Sequence, residues 1–516
     1  MVSDFYNAAA DLLDRNLAER AGKIAFIDDC GSITFGALGE RVGRFAGYLD
    51  SISLPPETRI MLCLVDGIDF VTACLGAIKA GLVPVMVNPL LPPTDLDYLL
   101  RDSRARLLVT CDATWPSFEG IVAEQPYLEH ILMAGRAPAP AGVHKLDEAI
   151  SAAPCRKAVA LTRLDEPCLW QYSSGSTGRP KGTIHTHANV RNLMSLYPQE
   201  VLALNTDDVT FSAAKLFFGY GFGNGLLFPL SVGATAILMA ERPTAAAVWK
   251  RLVEHPATVF YGVPTLYNSM LSDGYKPTRE SLALRICTSA GEALPADIGR
   301  RWKTETGVEI LDGIGSTEMF HIFLSNRIGD IAPGTTGKPL RGYTLRLIDQ
   351  NGQEVAEGDV GELHIKGPTS AIGYWCKREQ SQATFVGEWT RSGDTFFRDA
   401  DGRYHYCGRS DDMLKVSGIY VAPFEVESAL CEHPAVLEAA VVAWSDDADL
   451  IKPKAFVVLR DPASACEELT RELQRHVKGV LAPYKYPRWI DFIDALPKTA
   501  TGKVERYKLR RPVTSS

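Results

Sequence analysis

Between Tyr172 and Gly182 the chain reads Tyr-Ser-Ser-Gly-Ser-Thr-Gly-Arg-Pro-Lys-Gly. Three glycines, four small hydroxyl side chains, an Arg and a Lys fall within eleven residues. These are the parts of a phosphate cradle. Glycine lets main-chain N–H groups approach an anion, hydroxyls donate hydrogen bonds, and lysine adds charge. The apolar run at 167–170 reads as a strand that delivers the loop. The pattern departs from the Walker sequence, which ends in Gly-Lys followed by Ser or Thr. Here Pro180 precedes Lys181 and Gly182 follows it. The competing reading of such a composition is a solvated flexible linker.

Four further segments carry polar groups in turn-like settings. They are Ser289-Ala-Gly-Glu-Ala-Leu294, Asp312-Gly-Ile-Gly-Ser-Thr-Glu318, Trp389-Thr-Arg-Ser-Gly-Asp394 with Gly408-Arg-Ser-Asp-Asp-Met-Leu-Lys415, and Leu496-Pro-Lys-Thr-Ala-Thr-Gly-Lys503. Each has a plain alternative. Asp394 sits in a Ser-Gly-Asp turn, where Asp is common. Arg409 beside Asp411 and Asp412 fits a surface charge cluster, and Lys503 fits a solvated loop lysine.

Taken in order with the first loop, these segments resemble the adenylate-forming superfamily of acyl-CoA synthetases, adenylation domains and luciferases. The resemblance spans most of the chain. It implies that a carboxylate is joined to AMP and the acyl group then passes to a thiol. Ser173, Ser174, Gly175, Ser176, Thr177 and Gly178 would wrap the β- and γ-phosphates of ATP, with Lys181 nearby. Thr317 would contact the α-phosphate, and Glu318 would hold Mg²⁺, a hard cation suited to carboxylate oxygen. Gly291, Glu292 and Ala293, with Asp312, Gly313 and Ile314, would form the adenine slot. Asp394 would accept from the ribose hydroxyls with help from Arg409. Lys503 would reach the carboxylate and the α-phosphate. A hinge at Asp411 would separate a large adenylation domain, 1–410, from a small mobile domain, 411–516. Ser417, Gly418 and Tyr420 would line the path of coenzyme A.

The acid is approached through Phe211-Ser-Ala-Ala-Lys-Leu-Phe-Phe-Gly-Tyr-Gly-Phe-Gly-Asn224, the region that walls the acyl pocket in this superfamily. It offers aromatics and glycines but no carboxylate to hold an ammonium, which argues against an amino acid. Glycines among Phe217, Phe218, Tyr220 and Phe222 would leave a flat slot for a planar ring. Ordinary core packing is the alternative. Together with His321-Ile-Phe-Leu-Ser-Asn326 and Lys415-Val-Ser-Gly-Ile-Tyr420, the region resembles the benzoate–CoA ligase group. That implies a pocket of Phe218, Gly219, Tyr220, Gly315 and His321. Gly219 stands where the group commonly has Ala, so the expected acid is a substituted benzoate, anthranilate first and benzoate second. Loading of a carrier-protein pantetheine is the alternative within the fold. A catalytically dead adenylate sensor is opposed by the presence of Glu318, Asp394, Arg409 and Lys503. Luciferase-like oxygenation finds no bulky pocket match at 219–222.

The totals agree with a globular enzyme. The chain has 516 residues, 46% apolar and 22% charged, enough for two or more domains. A net charge of −8 without a basic block argues against nucleic acid. Eleven scattered Cys without a Cys-x-x-Cys pair, and no signal pattern after Met1, suggest a cytoplasmic protein with reduced thiols. The apolar run at 225–240 is too short to span a membrane and is broken by Pro229, Ser231 and Gly233; it reads as a helix end, a turn and a buried strand. The partners expected are an aryl acid, ATP and CoA, with a homodimer possible. His185 and His187 form a weak His-x-His pattern without accompanying ligands.

The elements that must position this chemistry follow from periodicity. Residues 59–65, 70–80 and 82–87 read as strand, helix and strand, a βαβ unit that implies a parallel α/β sheet. Short apolar strands are expected at 107–111, 234–239, 257–261, 284–288 and 309–311. From about 337 the alternation at 343–348 and 361–366 suggests a small antiparallel or barrel-like section. After 409, strands at 436–443 and 454–459 and a helix at 467–481, with Leu469, Leu473, Val477 and Leu481 at four-residue steps, form a compact α+β unit.

Overall fold

The computed structural model describes residues 5–173, 179–410, 412–416, 419–446, 450–498 and 504–510. Ser174, Gly175, Ser176, Thr177, Gly178, Asp411, Ser417, Gly418 and Lys503 lie outside them, as does the side chain of Tyr420.

The expected βαβ unit forms as strand Arg59–Leu62, helix Ile68–Lys79 and strand Val83–Met86, with the two strands parallel. The helix stops where Gly81 takes a φ of +79°, open to a residue without a Cβ. Nine of its twelve residues are buried. That burial has a cause: the helix touches strands of both large sheets, so it has almost no solvent side.

The first sheet has eight strands, in the order Gly373–Tyr374, Lys181–Thr186, Pro167–Ser173, Val83–Met86, Arg59–Leu62, Leu107–Cys111, His130–Ala134, His144–Lys145. The second has nine, in the order Lys338–Pro339, Ile322–Ser325, Ile310–Gly315, Ile286–Ser289, Val259–Gly262, Val209–Ser212, Thr235–Ile237, Ile24–Asp28, Gly31–Thr34. Most of their neighbours pair in parallel, and the fully buried strands read as apolar runs rather than alternating ones. The run at 225–240 becomes a helical stretch, Phe228–Val232, a left-handed Gly233 and the buried strand Thr235–Ile237. Among the described residues no helix is long and apolar enough to cross a membrane.

A five-stranded antiparallel sheet follows, holding Thr344–Ile348, Gly361–Lys366, Phe385–Val386, Trp389–Arg398 and Tyr404–Arg409. After Arg409 come the hairpin Leu414–Val416 with Ile419–Val421, a three-stranded sheet, and helices Pro423–Cys431 and Glu467–Val480. The second helix buries Leu469, Leu473 and Val477, the stripe read from the sequence, against a core of its own.

Candidate active site

The strands on either side of the Gly/Ser/Thr segment pair with each other. Strands Pro167–Ser173 and Lys181–Thr186 pair antiparallel, with Ser173 opposite Lys181, Gln171 opposite Thr183 and Leu169 opposite His185. Strand Gly373–Tyr374 adds an edge and places Tyr374 opposite Thr183. Residues opposite one another share a face. One face therefore carries Leu169 and His185, then Gln171, Thr183 and Tyr374, then Ser173 and Lys181 at the loop. The other face carries Trp170, whose ring lies 4.9 Å from that of Trp375, and Tyr172, whose hydroxyl donates to Asp102 at 2.8 Å.

This face meets the loop that follows strand Ile310–Gly315. The Lys181 ammonium lies 4.3 Å from the centre of the Tyr374 ring. The Tyr374 hydroxyl donates to Glu318 Oε1 at 2.7 Å, and the Ala371 N–H donates to the Glu318 carbonyl at 2.8 Å. One carboxylate oxygen is thus fixed, and Oε2 has no partner among the described residues. Arg409 is close enough to favour the ionised Tyr374 hydroxyl, though burial dominates and pushes that hydroxyl far up. The Thr317 carbonyl lies 2.8 Å from His185 Nε2 and accepts its proton. The His185 ring stacks on Phe320 at 4.3 Å and 17°. Burial lowers the His185 pKa to about 4, so the ring is neutral and its Nδ1 is a bare acceptor. Phe320 takes a φ of +69°, a conformation a side chain adopts only when its surroundings impose it. A main-chain bond from the His321 N–H to the Met319 carbonyl at 2.9 Å spans this residue.

A second group lies on the ends of the parallel strands. Ser289 pairs with Asp312 across neighbouring strands. Gly291 turns with a φ of +90°, followed by Glu292, which accepts from Thr265 Oγ1 at 2.7 Å, and Ala293. Asp312 is buried with Oδ1 unpaired among the described residues, and burial pushes its carboxyl well above the usual range. Gly313 and Ile314 continue the strand. A third group is cross-strand: Arg409 pairs with Asp394, donates to its Oδ1 at 3.2 Å and to the Ser392 carbonyl at 3.1 Å. Gly393, at φ +70°, makes room for the guanidinium.

The segment expected to wall the ring differs from its expected form. Helix Gly219–Phe222 runs directly into a wide π turn, Gly223–Leu227, a distortion that often marks a functional site. The glycines do not open a flat slot. A Cβ on Gly219 would stand 2.6 Å from the Phe320 carbonyl oxygen, one on Gly221 2.1 Å from the Lys215 carbonyl, and one on Gly223 2.4 Å from the His321 ring. Protein atoms fill those places, so the missing methyl at Gly219 is no measure of room for a ring substituent. Gly315 is likewise closed off, since a Cβ there would stand 2.5 Å from the His321 carbonyl oxygen. Phe217 and Phe222 belong to the core. Phe218 and Tyr220 remain half-buried; Tyr220 bonds Thr288 Oγ1 at 2.6 Å and its ring lies 5.5 Å from that of His321. His321 Nε2 donates to the Tyr220 carbonyl at 3.2 Å, and burial lowers its pKa to about 3.

The geometry thus unites Lys181, Thr317 and Glu318 through His185 and Tyr374, and pairs Asp394 with Arg409. Among the described residues no group of three or more His, Cys, Asp or Glu could hold a metal. The His185 and His187 pattern is structural: His187 Nδ1 accepts from the Ala8 N–H at 3.1 Å. Tyr374, Gln171 and the stacking role of His185 escape a reading of the sequence, because only strand register brings them to the site.

Lys181 near Tyr374 and its Glu318 partner, and a cross-strand Asp394–Arg409 pair, on such a fold are what an adenylating enzyme is expected to show. The AMP-binding enzyme family matches residues 13–375 and the AMP-binding enzyme C-terminal domain matches residues 425–503. The chain belongs to this family, within its benzoate–CoA ligase group, and is an AMP-forming acid–CoA ligase. It is 56% identical over 512 residues to the benzoate–CoA ligase of Thauera aromatica, covering 99% of this chain and 96% of that one. A solved benzoate CoA ligase from Burkholderia xenovorans LB400 superposes with a TM-score of 0.92 at 52% identity, covering 98% of this chain and 100% of that one. The anthranilate CoA ligase AuaEII in complex with anthranoyl-AMP gives 0.94 at 42% identity, covering 98% and 97%.

Proposed function

We propose that this ligase joins benzoate, or a benzoate with a small ring substituent, to coenzyme A through an aroyl-adenylate. The observation that carries the reading is the half-buried wall of Phe218 and Tyr220 against a neutral His321, on a segment without a carboxylate. Such a wall suits an uncharged planar ring and offers nothing to an α-ammonium. The 56% identity to a benzoate–CoA ligase, against 42% to an anthranilate CoA ligase, puts benzoate ahead of anthranilate. Gly219 no longer argues the other way.

In the first half-reaction a carboxylate oxygen attacks the α-phosphorus and pyrophosphate leaves. In the second the CoA thiolate attacks the acyl carbon and AMP leaves. Two anions must meet, so cations and oriented donors carry the catalysis. Ser173 through Gly178 and Lys181 hold the outer phosphates. Thr317 contacts the α-phosphate from a loop that His185 and Phe320 hold in place. Glu318, tethered by Tyr374 with Oε2 open, fits Mg²⁺, which keeps few protein ligands and relies on phosphate oxygens. The bound ion would neutralise phosphate charge. Gly291 to Ala293 and Asp312 to Ile314 flank adenine, and Asp394 with Arg409 holds the ribose. Lys503 serves the first step, and rotation of residues after 410 about Asp411 brings Ser417, Gly418 and Tyr420 to the thiol path.

Pyrophosphate release tests the reading on benzoate, its amino, hydroxy and fluoro derivatives, short fatty acids and α-amino acids. Benzoates are expected to lead. A fatty or amino acid turned over tenfold faster than every benzoate overturns it.

A further inference from the structure

We propose that the carboxamide of Gln171 selects aryl acids by bonding a neutral amino or hydroxyl substituent on the ring. The proposal rests on the aryl-acid reading above and deepens it.

Gln171 is 1% exposed, yet both its Oε1 and its Nε2 lack hydrogen-bond partners among the described residues. Burying an amide with both ends unmet is costly, and folds retain such a group where something else completes it. It lies against the aryl wall: Oε1 is 3.1 Å from where a Cβ on Gly219 would stand, at the start of the helix that carries Tyr220. It is not alone. Thr183, directly across the strand pair, has a buried Oγ1 without a partner, and His185, one row further, has a buried Nδ1 without one. Donors and acceptors therefore share one sheet face, with Gln171 beside the Gly219–Phe222 helix. Since His185 Nε2 gives its proton to Thr317, Nδ1 can only accept. The two rows nearest the wall hold Leu169, His185, Gln171, Thr183 and Tyr374, with no ionised side chain, and burial keeps His185 uncharged. The ionised groups that touch these rows, Glu318 and Lys181, do so at Tyr374, and no charged side chain among the described residues bonds the Gln171 amide itself. A neutral group that both donates and accepts, such as an aniline nitrogen or a phenol, meets the amide on its own terms.

Methyl and amino groups are nearly equal in size, so each toluate paired with the aminobenzoate of the same ring position separates hydrogen bonding from fit. Hydroxybenzoates and benzoate complete the set. The readout is kcat/KM for pyrophosphate release by the full chain. At one ring position the wild type is expected to prefer the amino or hydroxyl acid over the toluate by about tenfold or more, the scale set when a buried polar group is left unpaired. Gln171→Leu is expected to abolish or invert that preference while benzoate stays within about threefold. Gln171→Met serves if the leucine variant does not fold. Equal loss on benzoate and on the polar acids would make Gln171 a structural residue and overturn the proposal. So would a wild type that ranks amino and methyl acids alike at every position, which would leave the amide to solvent. Failure of all benzoates to release pyrophosphate would instead sink the aryl-acid reading, and this inference with it.

Discussion

Replacing Gly219 by Ala separates two accounts of the aryl wall. If the glycine made room for a ring substituent, a methyl would penalise substituted acids and spare benzoate. The structure argues otherwise. The new Cβ would lie 2.6 Å from the Phe320 carbonyl oxygen and 3.1 Å from Gln171 Oε1. The amide end of a glutamine can yield, but a carbonyl oxygen of the main chain moves only with its loop. Overpacking of this kind costs about 1–3 kcal/mol. Phe320 stands two residues after Glu318 and three after Thr317, whose carbonyl is tied to His185, whose ring in turn stacks on Phe320. Displacing Phe320 therefore disturbs Thr317 and Glu318 on one side and His321, which bonds the Tyr220 carbonyl, on the other, whatever the ring carries. If the whole cost enters the barrier, turnover falls by roughly 5- to 150-fold. Gly219→Ala should lower kcat/KM for benzoate and for the toluates together, their ratio within about threefold, with a lower melting temperature. A variant that keeps its stability and its benzoate activity but loses the toluates selectively would refute this reasoning.

Other perturbations probe the remaining groups. Tyr374→Phe should raise the Mg²⁺ concentration needed for half-maximal rate, because Glu318 loses a bond of about 1.5–3 kcal/mol to its charged oxygen, and Glu318→Gln should raise it further; a Mg²⁺ titration that overlays the wild type removes Glu318 from the metal. Lys503→Ala should slow adenylation by about a hundredfold or more while supplied aroyl-adenylate still reacts with CoA, and Gly418→Leu should do the reverse; equal damage to both half-reactions in both variants would end the two-state account of the C-terminal region. Asp66 is buried beside the Leu216 N–H, which donates to it at 3.0 Å, and burial raises its pKa to about 6. A carboxyl whose folded pKa is raised binds its proton more tightly in the folded chain, so stability falls as pH rises from about 4 to 6, by roughly 3 kcal/mol, and is flat above. Asp66→Asn should remove that slope in denaturant melts at pH 4.5 and 7.5; an identical slope in both proteins would show that another group titrates.

The strands at 107–111 and 361–366 could be read residue for residue, because each is an apolar or alternating run between clear stops. Motif order singles out Glu318, Asp394 and Arg409, and the structure ties Glu318 to Tyr374 and pairs Asp394 with Arg409. What stayed hidden is what depends on register and distant packing. Gly219, Gly221 and Gly223 look like open space in a sequence, since nothing local reveals the Phe320, Lys215 and His321 atoms that fill their Cβ positions. His185 looks like half a metal site, since its stacking partner Phe320 stands far along the chain. Tyr374 and Gln171 carry no motif at all. They reach the site through the pairings of Tyr374 and Gln171 with Thr183, which no spacing along the chain encodes.

The central claim is an acyl-adenylate on the path to the thioester. Benzoate carrying ¹⁸O in both carboxylate oxygens tests it directly. If a carboxylate oxygen attacks the α-phosphorus and the thiol later displaces AMP, one ¹⁸O must leave with the phosphate of AMP and one must remain in the aroyl-CoA, with unlabelled pyrophosphate formed in equal amount. Mass spectrometry of the products should show singly labelled AMP. Unlabelled AMP alongside labelled orthophosphate, or ADP in place of AMP, would contradict the account.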